Sequence, residues 1–245
     1  APDKKEVEPI WSYRWGQVRR LNVPVKTGIA ATARAVREFR PDFVIIATGA
    51  RPGPAPFDTS ALDPAVRVMH AWDYLGDPQR VPAGAQVTVI GGGMVGIEAA
   101  DLLTEREARV TVIEILAALA QGMPRNNRLE ILERLERKHA TLLAGTRIES
   151  ARGRTLAVRA HDGAPRTLDV GDHLVIATGP QPDREAVATV EAAGVPYALA
   201  GDCYRTGDFL TCLRDAWMVA LSVDHRFRET RAAERTFACG GAVES

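Results

Sequence analysis

Three glycines in the chain have the spacing G-x-G-x-x-G: Gly91, Gly93 and Gly96. An apolar run from Val87 precedes them, and a second apolar run ends at Glu114, so the residues between predict a strand, a tight turn, a helix and a strand. In such a unit the first glycine permits a sharp exit from the strand. The second lets the backbone approach a pyrophosphate, and the third lets the helix pack closely. A tight turn without a ligand is the alternative interpretation.

The first turn of the predicted helix is the anion-binding part of this unit. Its unpaired backbone N–H groups and a partial charge of roughly +0.5 favour a phosphate without any basic side chain. A carboxylate at Glu114 accepts hydrogen bonds from both ribose hydroxyls and repels a 2′-phosphate, and no arginine cluster follows it. We therefore predict NAD(H) rather than NADP. The predicted contacts are Gly91, Gly92, Gly93, Met94, Val95, Gly96 and Glu114.

A second pattern, ATG-x-x-P, closes two separate apolar runs. It contains Thr48 and Gly49 at its first occurrence and Thr178 and Gly179 at its second. Ligands of open α/β folds bind at the carboxyl ends of strands, so a strand that ends in a small, flexible turn is a candidate ligand edge. A plain strand-to-loop turn explains one occurrence, whereas two favour a dinucleotide site. Asp202, between a predicted strand and a predicted helix, is a third candidate at such an edge.

The composition excludes several classes of function. Lys and Arg together number 31, as do Asp and Glu, so no net charge steers the chain toward nucleic acid or an acidic membrane surface. The apolar runs have the length of strands, and no signal-like segment opens the sequence, so we expect a cytoplasmic protein without a membrane span. Cys203, Cys212 and Cys239 fit neither a zinc site nor a C-x-x-C pair. We expect reduced thiols and no metal.

The order of predicted elements indicates an α/β fold with two Rossmann-like domains. Residues 83–180 contain two parallel strands, an antiparallel meander within 141–170 and a returning strand, the plan of a nucleotide domain inserted into another domain. Residues 1–82 and 181–245 form the host domain in this interpretation. The composition changes at Pro82, where a proline-rich stretch ends, and this sets the boundary.

Three patterns predict elements of the host domain. Residues 6–21 have apolar side chains near helical spacing, so we expect a helix with Trp11 and Trp15 on a buried face. Residues 42–48, DFVIIAT, predict a fully buried strand. Residues 209–223 predict a helix with one apolar stripe. The members of that stripe are Leu210, Leu213, Trp217 and Leu221.

These motifs resemble a known family, the NADH:flavin oxidoreductases of the 2,4-dienoyl-CoA reductase and trimethylamine dehydrogenase type. That family shares a plan of two dinucleotide domains with glutathione and thioredoxin reductases. The resemblance covers nearly the whole chain. It rests on these segments in this order: DFVIIATGARP, VTVIGGGMVGIEAADLL, VTVIE, GMPRNNRLEILERL, VIATGPQPD, GDC and FLTCLRDAWMVAL.

The resemblance implies a role for each candidate. The glycine turn and Glu114 bind NAD, while Thr48, Gly49 and Asp202 contact FAD or an ADP in its place. Glu98 matches an acid that lies near the nicotinamide in similar reductases. Hydride passes from the nicotinamide to a flavin, so the resemblance implies no general acid or base in this chain, and the catalytic residues stay unassigned.

Several features of the family are missing. The family has an N-terminal (β/α)8 domain with FMN and a 4Fe–4S cluster, and a first glycine-rich βαβ unit of the flavin domain. We expect the chain, which lacks an initiator Met, to be a fragment with an incomplete FAD-type domain and the barrel domain as its partner. Homo-oligomer formation stays open. Glu107 stands where relatives have the glycine that ends the helix, so we expect this helix to end differently.

The sequence leaves three hypotheses of function. The first is a portion of an oxidoreductase that passes electrons between NAD(P)H and flavin. The second is a structural module that binds ADP or NAD without turnover. The third, a simple Rossmann dehydrogenase, is disfavoured because no His or Tyr-x-x-x-Lys pair stands where a proton relay would be needed.

Overall fold

The computed structural model describes the backbone of residues 7–239 and the side chains of residues 7–225, so the side chain of Cys239 lies outside the described residues. The chain forms two compact units. The first unit comprises Ala1–Pro24 and Pro52–Gly179, and the second comprises Val25–Arg51 and Pro180–Ser245. Whether they coincide with the two predicted nucleotide domains stays a prediction.

The first unit is built on a parallel sheet. Its helices are α1 (Glu8–Arg20), α3 (Ala71–Gly76), α4 (Met94–Glu105) and α5 (Arg125–Arg137). Its strands are β3 (Arg67–His70), β4 (Gln86–Ile90), β5 (Arg109–Ile113), β6 (Thr141–Leu143), β7 (Arg147–Arg152), β8 (Thr155–Arg159), β9 (Pro165–Asp169) and β10 (His173–Ile176). The parallel sheet has the order β3-β10-β4-β5-β6, and β7, β8 and β9 form an antiparallel sheet.

The parallel strands read as continuous apolar runs because both faces of the sheet are covered. In β4, Val89 packs into a core with α3, α4 and α5, while its neighbour Ile90 belongs to a second core with β7 and β8. In β10, Val175 and Ile176 divide in the same way. The alternation of side chains along a strand therefore fixes the register between two cores.

Two details of this unit differ from the sequence prediction. The sequence predicts an antiparallel meander within residues 141–170, but Thr141–Leu143 form β6, which pairs in parallel with β5. The proline-rich stretch before Pro82, for which no strand was predicted, contains β3 at the edge of the parallel sheet. A short apolar run does not distinguish an edge strand of one sheet from a strand of another.

The second unit is smaller in its core. Its helices are α2 (Ala33–Phe39), α6 (Glu185–Ala193) and α7 (Phe209–Cys239), and its strands are β1 (Val44–Ile46), β11 (Pro180–Pro182) and β12 (Tyr197–Leu199). It also contains the first two residues of β2 (Ala50–Pro52). β1 pairs in parallel with β12, and β2 pairs with β11. The buried core cluster consists of Ile46, Val190 and Cys203 with partly buried neighbours.

Three predicted burial patterns are wrong. Helix α1 forms as expected, but none of its residues is buried, and Trp11 stacks on Trp15 at 5.9 Å with 64% of Trp11 exposed. β1 is not fully buried, since Ile45 is exposed. In α7, Trp217 is exposed, and so are Leu210 and Leu221. Periodicity identifies an apolar face, but it does not show that another element covers that face.

No described helix is long and apolar enough to cross a membrane.

Helix α4 ends as it would with glycine, contrary to the sequence expectation. Glu107 has φ of 64°, and the N–H of Ala108 bonds to the carbonyl of Leu103. The residue therefore adopts the left-handed cap despite its side chain.

This cap predicts a stabilising substitution. Glu107→Gly removes the steric cost of a Cβ at positive φ, so the free energy of unfolding should rise by about 1 kcal/mol in urea denaturation. Glu105→Gly, in the last helical turn, is the matched control and should lower it by about 1 kcal/mol. Equal effects of the two substitutions would contradict the assignment of the cap to Glu107.

Candidate functional site

The glycine turn between β4 and α4 has the geometry that its sequence predicted. Gly91 has φ of 102°, and a Cβ there would lie 2.3 Å from the carbonyl oxygen of Ala177, just beyond β10. A Cβ at Gly96 would lie 1.9 Å from the carbonyl oxygen of Gly91. Both positions therefore require glycine, because the turn packs between Ala177, which follows β10, and the first turn of α4.

Gly93 differs from these two glycines because it faces open space. A Cβ there would meet no atom within 4 Å, and φ of −69° suits any residue. Gly93 is the N-cap of α4, and the first bond within the helix joins the Ile97 N–H to the Gly93 carbonyl. The N–H groups of the first three helical residues therefore have no partner inside the helix. Those residues are Met94, Val95 and Gly96.

Glu114 lies directly after β5, beside this turn. Its side chain is 7% exposed, and its two oxygens accept hydrogen bonds from the Gly92 N–H at 2.6 Å and the Leu116 N–H at 2.8 Å. The Gly92 carbonyl in turn accepts a bond from the Ala120 N–H at 2.6 Å. A Cβ at Gly92 would lie 2.2 Å from Cδ2 of Leu119. The segment after Glu114 is therefore folded against the glycine turn.

Sequence reasoning assigned Glu114 to a ligand and missed this backbone role. A carboxylate offers about four acceptor positions, so two backbone donors leave room for further donors. The available sequence signal is the pair of apolar residues Leu119 and Ala120 in the run that follows the acid.

The remaining predicted residues of the first unit lie near the same edge of the sheet. Thr178 and Gly179 follow β10, which neighbours β4. The Thr178 hydroxyl donates to the Pro54 carbonyl at 2.8 Å, and the Gly179 carbonyl accepts from the Gly53 N–H at 2.7 Å. Glu98 is half-buried in the second turn of α4. The structure thus brings the ends of three neighbouring parallel strands together with the N-terminus of one helix.

The second unit has its own candidate edge. Ile46 of β1 is in register with Leu199 of β12, so the residues that follow these parallel strands lie at one edge. They include Thr48, Gly49 and Asp202. The structure therefore groups the three residues that the sequence predicted for this unit.

Asp202 is oriented by two donors on one oxygen. Its Oδ1 accepts a bond from the Gly207 N–H at 3.1 Å and from the Cys212 thiol at 3.1 Å. Burial, followed by the bond to Asp202 and the nearby carboxylates, raises the pKa of the Cys212 thiol to about 11. The thiol is therefore a protonated donor at neutral pH, a role that sequence reasoning missed.

The turn at Thr48 and Gly49 is held by Asp183 of the same unit. The Thr48 hydroxyl donates to the Asp183 carbonyl at 2.6 Å, and the Asp183 N–H donates to the Gly49 carbonyl at 3.0 Å. Arg51 forms ion pairs with the Asp183 carboxylate at 3.0 Å and with Glu185. Asp183 and Arg51 thus hold the turn that follows β1, and they are the residues that sequence reasoning missed.

The clamp at Asp183 predicts an acid-sensitive contribution to stability. The N–H of Glu185, followed by Arg51, holds the pKa of Asp183 below its usual range. The folded state therefore favours the carboxylate, so this stability is complete above the ordinary aspartate pKa of about 3.9 and is lost as the pH falls through the lower folded value.

Asp183→Asn should therefore flatten the fall in unfolding free energy between about pH 6 and pH 3, measured by urea denaturation. Arg51→Ala removes a smaller cause of the shift and should flatten that fall less. A pH dependence in Asp183→Asn identical to that of the wild type would show that the clamp does not contribute.

Comparison with known proteins places these two edges in context. A family model described as pyridine nucleotide-disulphide oxidoreductase matches residues 16–208. The chain is 30% identical over 220 residues to bilirubin reductase of Mediterraneibacter gnavus (strain CC55_001C), and this match covers 89% of the chain and 33% of the reductase. It is 28% identical to NADH oxidase of Thermoanaerobacter brockii, which covers 91% of this chain and 34% of that protein.

Solved structures show the same fold. A 2-naphthoyl-CoA reductase complex superposes with a TM-score of 0.68 at 23% identity, over 83% of this chain and 30% of that chain. The 6-hydroxypseudooxynicotine amine oxidase from Pseudomonas geniculata N1 superposes with a TM-score of 0.67 at 22% identity, over 83% of this chain and 32% of that chain. The predicted α/β fold class is confirmed. The chain spans about a third of the length of these proteins.

Proposed function

The chain belongs to the pyridine nucleotide-disulphide oxidoreductase family, and from this premise we propose that it is the nucleotide-binding portion of a flavin-dependent oxidoreductase that passes electrons between NADH and flavin. The observation that carries the proposal is the open N-terminus of α4. Gly93 leaves free space in front of three unpaired backbone N–H groups, and an acid stands at the next strand end. This combination suits a dinucleotide.

The residues of the first unit fit NADH in a defined direction. The pyrophosphate binds the N–H groups of Met94, Val95 and Gly96, and Glu114 accepts bonds from the adenosine ribose. Two backbone donors anchor this buried carboxylate, so its direction beside the ribose is fixed. A 2′-phosphate at that position would be repelled, which favours NADH over NADPH.

The second unit fits a flavin adenine dinucleotide or an ADP in its place. Thr48, Gly49 and Asp202 follow two neighbouring parallel strands, which is where open α/β folds bind ligands. The Cys212 thiol and the Gly207 N–H hold Asp202 from one side, so its carboxylate has a fixed direction. The clamp at Asp183 holds the backbone of Thr48 and Gly49.

The chemistry of this function belongs to the cofactors, since a reduced nicotinamide supplies a hydride and a flavin accepts it. The chain's own residues bind and orient. The glycine turn fixes the pyrophosphate, Glu114 fixes the ribose, and Glu98, Thr178 and Gly179 lie where the nicotinamide half is expected. Positioning of this kind lowers a barrier without any proton transfer from the protein.

The rest of the longer protein completes this proposal. Relatives are about three times as long as the matched region, and apolar side chains such as Ile45 and Trp217 are exposed in the second unit. We propose that further segments cover these residues. They include a barrel domain that carries FMN and a 4Fe–4S cluster and supplies the substrate site.

A second candidate function is a module that binds ADP or NAD without turnover. It is favoured by the small core of the second unit, whose β1 pairs among the described residues with β12 alone. A flavin absorbance band in the purified chain supports the oxidoreductase. A colourless chain that binds NADH or ADP supports the module.

Substitution at Gly93 tests nucleotide binding at the turn. Gly93→Ala places a methyl group in the space assigned to the pyrophosphate, so isothermal titration should show affinities for NADH and ADP-ribose reduced by roughly tenfold or more. The stability should fall by no more than about 1 kcal/mol, because the added Cβ meets nothing in the free protein. Gly76→Ala, whose Cβ also meets nothing within 4 Å, is the control and should leave both affinities unchanged. Unchanged affinity in Gly93→Ala would reject this site.

Substitution at Glu114 tests the choice between NADH and NADPH. Glu114→Gln keeps one acceptor oxygen but removes the charge, so the ratio of NADH to NADPH affinity should fall by roughly tenfold in the same titration. One backbone N–H loses its acceptor, so stability should also fall by about 1–3 kcal/mol. Glu107→Gln, at the far end of α4, is the control. An unchanged ratio would show that Glu114 does not face the ribose.

A further inference from the structure

The strand order gives the proposed nucleotide a direction across the sheet. Glu114 follows β5, the glycine turn follows β4, and β10 and β3 lie on the other side of β4. If the adenosine ribose lies at β5 and the pyrophosphate at β4, the second nucleoside extends over the carboxyl ends of β10 and β3. Strands lie about 4.8 Å apart, so the end of β3 is roughly 9.6 Å from the end of β4 across the sheet.

The junction between β3 and α3 is at this position. His70 is the last residue of β3, is in register with Ile176 of β10, and is half-buried. Helix α3 starts at the next residue, and its buried Ala71 and Tyr74 pack into the core with α4. Ala71 and Tyr74 therefore hold the carboxyl end of β3 in place without the side chain of Trp72, which lies between them in the sequence.

Trp72 is 42% exposed at this edge. An exposed indole contributes less hydrophobic free energy to folding than a buried one. Ala71 and Tyr74 already anchor α3 in the core, so the exposed Trp72 is not needed for that role. A flat, solvent-exposed aromatic ring can stack on a planar heterocycle. His70 adds a polar group to the same edge, with an enclosed Nδ1 that has no hydrogen-bond partner among the described residues.

We propose that the junction of β3 and α3 contacts the nicotinamide half of the dinucleotide, with Trp72 as its stacking platform and His70 as a neighbouring polar contact. This inference rests on the proposed function and assigns it a further positioning residue. Trp72 orients the nicotinamide and takes no part in hydride transfer.

Two ligands separate this role from a structural one. ADP-ribose shares the adenosine, pyrophosphate and second ribose of NADH but lacks the nicotinamide. Trp72→Ala should lower the affinity for NADH about tenfold, the size expected for the loss of one stacking contact. It should change the affinity for ADP-ribose less than about twofold. Trp72→Phe should keep most of the NADH affinity, and Trp217→Ala, an exposed tryptophan of α7, should change neither.

Fluorescence gives a readout that does not depend on the stability of the alanine variant. The chain has four tryptophans, and energy transfer to bound NADH depends steeply on distance. Excitation of tryptophan should produce less NADH emission in Trp72→Phe than in the wild type. This loss of emission should be larger than the loss in Trp217→Phe. Equal losses in the two variants, or equal effects of Trp72→Ala on NADH and ADP-ribose, would overturn the inference. A wild-type chain that binds neither ligand would overturn the proposed function itself.

Discussion

A hydrogen bond of 2.6 Å from the Gly92 N–H to the Glu114 carboxylate joins the two strand ends on which the candidate site depends. It fixes the turn after β4 against the end of β5, and the Leu116 N–H holds the second carboxylate oxygen. The acid for which we propose a ribose contact therefore also shapes the turn proposed to bind the pyrophosphate. Because both partners of the bond are buried, loss of either would leave an unpaired polar group, so the proposed ribose contact of Glu114 is coupled to its contact with the turn.

The two units differ in the size of their apolar cores. In the first unit, the central parallel strands β4, β5 and β10 lie between two apolar cores, and Ala177 and Leu119 pack against the glycine turn. In the second unit, a two-stranded parallel sheet has a small buried core, and polar contacts hold the strand ends. Asp183 forms an ion pair with Arg51, accepts a hydrogen bond from the Thr48 hydroxyl and donates one to the Gly49 carbonyl. Asp202 accepts hydrogen bonds from a thiol and a backbone N–H. Polar contacts therefore hold these strand ends in a unit that has only a small core.

Local patterns predicted what depends on neighbouring residues. The glycine spacing predicted a turn in which Gly91 and Gly96 leave no room for a Cβ and Gly93 leaves open space. The apolar runs predicted the strands on either side. Burial depends on distant elements, so the periodicity around Trp11 and Trp217 predicted helices correctly and their environment wrongly. Long-range polar contacts, such as Arg51 with Asp183, leave no periodic signal. The cap at Glu107 shows that tertiary context can impose a conformation that the residue itself disfavours.

The central claim is that this chain binds NADH through the turn between β4 and α4. Hydrogen exchange with and without NADH, followed residue by residue, tests it most directly. The account predicts that NADH slows exchange of the Gly92 to Gly96 amides and of the segment from Glu114 to Ala120, with little change in the antiparallel sheet of β7, β8 and β9. Protection confined to other parts of the chain, or no protection at saturating NADH, would contradict it.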